Sequence, residues 1–480
     1  MEFKLPVLEE IKRYISSDPL PFHMPGHKMG RGFKKGYFDQ IAAMDLTEIP
    51  KLDNLHFPDG VIRDAQTLAA KAFGAEHTFF LVNGSTSGIH AIIRTICKPG
   101  EKLLVARDCH KSVINGMILS GVEPCYISPE SDKGFGIPAV ISPEKVREAF
   151  ERNHDLRGLI LTRPNYYGIC SDLESIAAIA SSYGKILAVD EAHGAHLKFN
   201  NTLPKCAMDL GADICVQSAH KTLPAFTQGA YLHVKSDKID VERVKFVLGM
   251  LQTTSPSYVI MSSLDYARAL MESEGEELLE SLVNNIDWFI DLLKNINEYS
   301  VLSVDSRGNY HTDKTRLVIN VSKMGLTGFE VERKLRFDYN IQVEMSDPSN
   351  IVCIAAVSDT KKDFERLYFA LQDIRNRVVK NGKKADIDLY KCYCSLEVPE
   401  QMVPLRDVIN SPSKKVQLQF AEGMIAKGTI TPYPPGIPVI CPGERIGSEA
   451  VDALLALLKQ GGNVNGIGKH NEIEVIDSND

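Results

Sequence analysis

At 480 residues the chain is too long for one ordinary hydrophobic core, so two or three domains are expected. Hydrophobic residues make up 44% and charged residues 24%, the balance of a soluble globular protein. The net charge of −8 argues against a nucleic-acid surface, and no run of uninterrupted apolar residues is long enough to cross a membrane.

The N-terminus has no signal-peptide apolar core. One amphipathic helix is predicted near residues 6–16, followed by a loop with His23-Met24-Pro25-Gly26-His27-Lys28. From about residue 60 to 236, short apolar runs alternate with helical stretches. Strands are predicted at Thr78–Val82, Lys102–Ala106, Glu123–Ile127, Gly158–Thr162, Lys185–Val189, Asp213–Gln217 and Ala230–Val234. Helices between them include Ser87–Ile96, Pro143–Arg152 and Leu173–Tyr183. This alternation reads as an α/β layer with a largely parallel sheet. The last strand follows its predecessor through a loop, which predicts one antiparallel strand.

Residues 257–298 are helical by period. Next come strand Arg316–Val321, helix Gly328–Arg336, strands Ile341–Met345 and Asn350–Ala355, and helix Lys361–Arg377, a small α+β domain. Gly382-Lys383-Lys384 reads as an exposed break. The last segment contains Tyr433-Pro434-Pro435-Gly436-Ile437-Pro438, and the polar tail after Gly468 is expected to fray. The expected parts are an N-terminal segment (1–55), a large domain (56–298), a small α+β domain (299–380) and a C-terminal domain (381–480). The ten cysteines include no CxxC pair, and Cys392 and Cys394 are too close for a zinc knuckle. Reduced thiols in a cytoplasmic protein without a metal site are the expectation.

Lys221 lies in Ser218-Ala219-His220-Lys221-Thr222, between two apolar strands. Burial there disfavours the charged amine, and a neutral amine can form a Schiff base with an aldehyde cofactor. Asp190 ends a strand 221 − 190 = 31 residues earlier. A carboxylate in that place can keep a pyridine nitrogen protonated, so the pair suggests pyridoxal phosphate. Asn83-Gly84-Ser85-Thr86-Ser87-Gly88 follows a strand and opens a helix, where amides, hydroxyls and the helix dipole can hold a phosphate. Alternatively it is a strand–helix turn with a Ser/Thr cap. His110, just after a strand, could stack on a planar ring. His193 could support Asp190 or touch the ring. His220 is a candidate proton donor and Ser218 a candidate phosphate ligand. Thr253-Thr254-Ser255-Pro256 caps the following helix or reaches a phosphate, its own subunit's or a neighbour's.

The order of these segments resembles the fold-type-I PLP enzymes, and more narrowly the ornithine/lysine/arginine decarboxylase family. The specific segments are His23–Lys28, Asn83–Thr86, Asp190–His193, Ser218–Ala225, Gln252–Pro256, Tyr433–Pro438 and Pro442-Gly443-Glu444. The match runs from about residue 20 to 460. The resemblance implies an aspartate-aminotransferase-like large domain with a mixed, mostly parallel seven-stranded sheet, plus smaller C-terminal α+β domains. It implies that Lys221 holds the cofactor, Asp190 pairs with the ring nitrogen and His110 stacks on the ring. Gly84, Ser85, Thr86 and Ser218 would hold the phosphate, with Thr254 or Ser255 contributed across a homodimer. His220 would lie near the reacting carbon, and Glu444 is a candidate partner for the substrate's basic end.

The implied reaction is decarboxylation of a basic amino acid. Arginine is the first choice, with lysine and ornithine open, and the products feed polyamine biosynthesis. The large bacterial members carry an N-terminal wing domain. This chain begins almost at the His23–Lys28 segment and looks like the short form, so a wing-built decamer is not expected. The rival readings are a transaminase or oxidative deaminase, with Arg316 or Arg336 holding a carboxylate, and a non-catalytic regulatory homologue.

Overall fold

A computed structural model describes residues 3–21, 23–25, 27–36, 38–303, 311–381, 396–433 and 436–477. Gly26, Cys392, Cys394, Pro434, Pro435 and the break at Gly382-Lys383-Lys384 lie outside the described residues. The chain divides into two compact units, residues 1–96 with 186–279, and residues 97–185 with 280–480.

Helix α1 (Pro6–Ser16) starts on a proline, whose missing N–H is one that the first turn cannot pair. Helix α2 (Val61–Phe73) ends at Gly74, which takes the left-handed conformation. Strand and helix then alternate: β1 (His77–Leu81), α3 (Gly84–Ile96), β2 (Lys102–Ala106), α4 (Lys111–Ser120) and β3 (Glu123–Ile127). They continue with α5 (Pro143–Arg152), β4 (Leu156–Thr162), α6 (Leu173–Ser182), β5 (Ile186–Asp190), β6 (Ile214–Gln217), α7 (Ala219–Thr222) and β7 (Ala230–Val234). The seven strands expected between residues 60 and 236 are all present, within two residues at each end. Helices α2 and α4 have no counterpart among those expected. The many small and polar residues of α4, Lys-Ser-Val-Ile-Asn-Gly-Met, obscure its period.

In the first unit the strand order is β1-β7-β6-β5. Strand β7 runs antiparallel to both β1 and β6, while β5 and β6 are parallel. The one antiparallel strand is the one expected from its loop connection. Gly88 allows α3 to approach the sheet: a Cβ there would meet Val216 at 2.6 Å and Leu81 at 2.7 Å. Phe73 of α2 packs on Tyr231 and His233 of β7, with ring centroids 5.0 and 4.8 Å apart. Helix α8 (Val241–Leu251) follows, capped by Asp240.

In the second unit β2 lies between β4 and β3, parallel to both. The second stretch of this unit begins at Glu280, partway along the 36-residue helix α9 (Tyr258–Leu293). Beyond it lie β8 (Ser300–Val301), β9 (Arg316–Asn320), α10 (Gly328–Tyr339), β10 (Met345–Ser346), β11 (Asn350–Ile354) and α11 (Lys361–Asn381). The four strands order as β8-β9-β11-β10, all antiparallel. The strand expected at Ile341–Met345 shrinks to β10. Asn340 closes α10 in the left-handed conformation, and residues 341–344 are spent returning the chain.

The tail corrects an expectation. Residues 472–476 do not fray: β13 (Glu472–Ile476) pairs antiparallel with β12 (Ser413–Gln417) over five residue pairs. Ile473 and Val475 alternate inward and join a core with Leu418, Ile440 and Leu454. A polar average over the tail hid a period of two.

Candidate active site

Strand β5 delivers Asp190 at its C-terminal end, buried, with Val216 of β6 as its register partner. Oδ1 of Asp190 accepts from the Ala192 amide at 3.1 Å. Burial raises the Asp190 pKa, against the opposing pull of the Lys221 charge and that amide. Three residues on, the buried His193 ring meets Lys221, with Nε2 3.1 Å from Nζ. Lys221 sits half-buried on the single turn α7, between β6 and β7 as expected. The structure therefore gathers Asp190, His193 and Lys221, which the sequence spreads over 32 positions, because β5 and β6 are neighbours.

Gly84, with φ +73°, opens α3 directly after β1. Its amide donates to the carbonyl of Gln228 at 2.9 Å. Ser218, fully buried at the start of α7, donates to the Ser85 hydroxyl at 2.8 Å. Hydroxyls from two loops thus meet at a helix N-terminus beside the lysine turn. Among the described residues beyond its own helix turn and chain neighbours, nothing lies within 4 Å of the position a Gly84 Cβ would take. Space, hydroxyls and a positive helix end fit a phosphate. Thr86 is exposed on the first turn. Thr254 and Ser255 are also exposed, on a segment tied to this loop: Gln252 Oε1 accepts from the Val82 amide at 2.8 Å, and the Thr253 amide donates to Asn83 at 3.3 Å.

His220 is half-buried, with Nδ1 3.0 Å from the Gly229 carbonyl. A carbonyl can only accept, so the Nδ1 proton is fixed there and Nε2 of the neutral ring carries the lone pair. Burial lowers the His220 pKa, which favours that neutral ring.

Two of the expected site residues belong to the second unit. His110 caps α4: its Nδ1 accepts from the Ser112 amide at 3.2 Å and lies 2.8 Å from the Ser112 hydroxyl. Tyr166 lies near the ring, at 6.5 Å between centroids. Glu444 is fully buried, and its Oε2 accepts from Arg107 at 2.9 Å and from the Cys441 amide at 2.6 Å. Arg107 also reaches the Val439 carbonyl at 3.1 Å and lies 4.9 Å from the Tyr126 ring centroid. Burial pushes the Glu444 carboxyl up to about 7 against the pull of Arg107. The Glu444 carboxylate is thus engaged by a cation of its own chain, a partner the sequence did not suggest. Arg336, offered as a carboxylate holder in the transaminase reading, pairs with Glu332 on the same helix.

Sequence reasoning also missed Glu191, Gln217 and His233, all fully buried behind Asp190. The available signal was a single polar residue inside an otherwise apolar strand, Gln217 in Ile-Cys-Val-Gln and His233 in Tyr-Leu-His-Val. Such residues need buried partners.

Residues 5–311 match the family model described as Orn/Lys/Arg decarboxylase, major domain, and residues 396–469 match the corresponding C-terminal domain. An arginine decarboxylase of Bacillus anthracis is 36% identical over 97% of this chain and 95% of its own length. An arginine decarboxylase of Bacillus subtilis strain 168 is 37% identical over 97% and 96%. Among solved structures, the lysine decarboxylase LdcF of Francisella novicida superimposes with a TM-score of 0.86 at 22% identity, covering 99% of this chain and 82% of that one. The chain therefore belongs to the ornithine/lysine/arginine decarboxylase family and is an amino-acid decarboxylase of the fold-type-I class.

Proposed function

We propose that the chain decarboxylates a basic L-amino acid, arginine to agmatine before lysine or ornithine, with pyridoxal 5′-phosphate as cofactor. The observation that carries the reading is the gathering of Asp190, His193 and Lys221 at the ends of adjacent strands, with Lys221 Nζ 3.1 Å from His193. When bound, the cofactor supplies a protonated pyridine ring that takes up the electron pair left by departing CO2. The chain's own residues do the rest. Lys221 is the amine that would hold the cofactor's aldehyde. Asp190 would pair with the ring nitrogen, and Gly84, Ser85, Thr86 and Ser218 would anchor the phosphate. His110 is the ring for stacking. Lys221, or His220 once its Nε2 has taken up a proton, would return a proton to the reacting carbon, with His220 oriented through its Nδ1 by Gly229.

Arginine stands first because both of the relatives described above are named arginine decarboxylase. With the Glu444 carboxylate occupied by Arg107, the guanidinium would reach Glu444 only by sharing or displacing that partner. The working unit is a cytoplasmic homodimer whose products enter polyamine biosynthesis, with Thr254 or Ser255 serving the partner's phosphate. An exposed apolar groove of about 1230 Å³ in the first unit, lined by residues that include Phe57, Phe246, Met250 and Thr254, supports that assembly.

The test is a product screen. Purified protein with pyridoxal phosphate is given arginine, lysine or ornithine, and agmatine, cadaverine or putrescine is measured together with CO2. Arginine is expected to give agmatine and CO2 in equal amounts. Lys221→Ala is expected to abolish both turnover and the visible absorbance of the bound cofactor. A keto acid in place of CO2, or turnover surviving in Lys221→Ala, would remove the reading.

A further inference from the structure

Asp190 is followed by a second buried carboxylate, Glu191, which none of the steps above uses. Its Oε1 accepts from the Ala207 amide at 2.8 Å, and its Oε2 from Gln217 Nε2 at 2.7 Å. The Cys215 thiol points at the same Oε2 from 3.7 Å. Gln217 Oε1 lies 3.1 Å from His233 Nε2, and His233 Nδ1 lies 2.8 Å from the Thr78 hydroxyl. Thr78, His233, Gln217 and Glu191 thus form one hydrogen-bonded line across β1, β7 and β6 to the end of β5.

Every direction in this line follows from its ends. With three donors aimed at it, the Glu191 carboxyl acts as an acceptor, so Gln217 turns its NH2 toward it and its oxygen toward His233. His233 is fully buried and neutral, so its Nε2 carries the proton and its Nδ1 accepts from Thr78. The Glu191 backbone is tied as well: its amide donates to the Val216 carbonyl at 2.9 Å, and its carbonyl accepts from the Gly194 amide at 2.9 Å. Asp190 precedes this anchored residue, and His193 lies within the turn it closes.

We propose that Glu191 is a positioning residue: through Gln217 and the Ala207 amide it sets the direction of Asp190 and the seat of His193 against Lys221, and so governs how firmly the cofactor ring is held. The inference rests on the reading of this site as a pyridoxal-phosphate site. The role is geometric, because the line can run backwards. A glutamine at 191 would accept from Ala207 and donate to the Gln217 oxygen. Gln217 would then donate to His233 Nε2, and His233 Nδ1–H to the Thr78 hydroxyl, leaving every group in the line paired.

The experiment compares holoenzymes of wild type, Glu191→Ala, Glu191→Gln and Gln217→Met, with folding checked by circular dichroism. Cofactor loss on dialysis, the position of the visible absorbance band, and kcat and KM are read. Glu191→Ala is expected to lose cofactor about tenfold faster, by analogy with groups that orient a ligand-holding side chain. Its band is expected to shift, and its kcat to fall with little change in KM. Glu191→Gln is expected to restore all three readouts. Gln217→Met, which interrupts the line and leaves the carboxylate in place, is expected to change them in the same direction as Glu191→Ala. Wild-type behaviour in a folded Glu191→Ala or Gln217→Met would overturn the inference. So would a Glu191→Gln that loses cofactor, because charge and not geometry would then be the cause; this arm decides even if the other two variants do not fold. A wild type that acquires no visible band with pyridoxal phosphate fails the underlying reading before any variant is compared.

Discussion

His233 shows what burial does to a single titratable residue. It has no exposed surface, and burial alone holds its pKa down to about 3, against 6.5 for an ordinary histidine. The sign of the consequence follows. The unfolded chain takes up a proton near pH 6.5 and the folded chain does not, so the histidine's contribution to stability is whole above pH 6.5. It is lost as pH falls from there toward 3, by up to about 1.4 kcal/mol per pH unit. Replacing His233 with Gln is therefore expected to flatten the fall in stability on acidification. Urea unfolding of both proteins at pH 7, 6 and 5 measures it, and parallel curves would mean that His233 is not held neutral. The chemically distinctive residues were legible one by one: Lys221 by its place between strands, Asp190 by its strand end, Gly84 to Thr86 by their place at a helix start. Glu191 was not, because its function lies in three partners 16 to 26 positions away.

Elements follow period and punctuation, and they fail to be read where a short pattern is averaged away. The tail strand β13 is the clear case. Its inward residues Ile473 and Val475 are buried, while Glu474 between them faces solvent. Ile473→Ala is expected to cost 2–5 kcal/mol on the scale of large-to-small core changes, and Glu474→Ala to stay within about 0.5 kcal/mol. Thermal unfolding of the pair checks this; equal effects would mean that the tail does not pack as described. Helix α10, by contrast, was legible. The structure adds a capping box of Thr327 and Glu330 at its start, which the sequence reading did not use. Its last turn, to Tyr339, runs past the expected Arg336 because Asn340 closes the helix.

At the scale of the whole molecule, the exposed groove of the first unit is a feature that the single chain does not account for. Helix α8 presents Phe246 and Met250, one turn apart and each more than half exposed, and Phe57 is 83% exposed. If a second copy covers this face, Phe246→Asp is expected to convert dimer to monomer in light scattering and to weaken cofactor retention, since Thr254 lines the groove. A variant that stays dimeric and keeps its cofactor would place the interface elsewhere. The sequence by itself determined the alternating α/β class, the antiparallel turn of β7 and the order of the reactive segments. Apolar period, turn residues and motif order are local properties, and one chain displays them directly. Only the tertiary structure decided that Glu444 is held by Arg107, that the tail is a strand, and that Thr78, His233, Gln217 and Glu191 form one line behind Asp190. Those pairings join residues 16 to 337 positions apart, and a buried polar group declares its partner only once strand order and register have brought the two together.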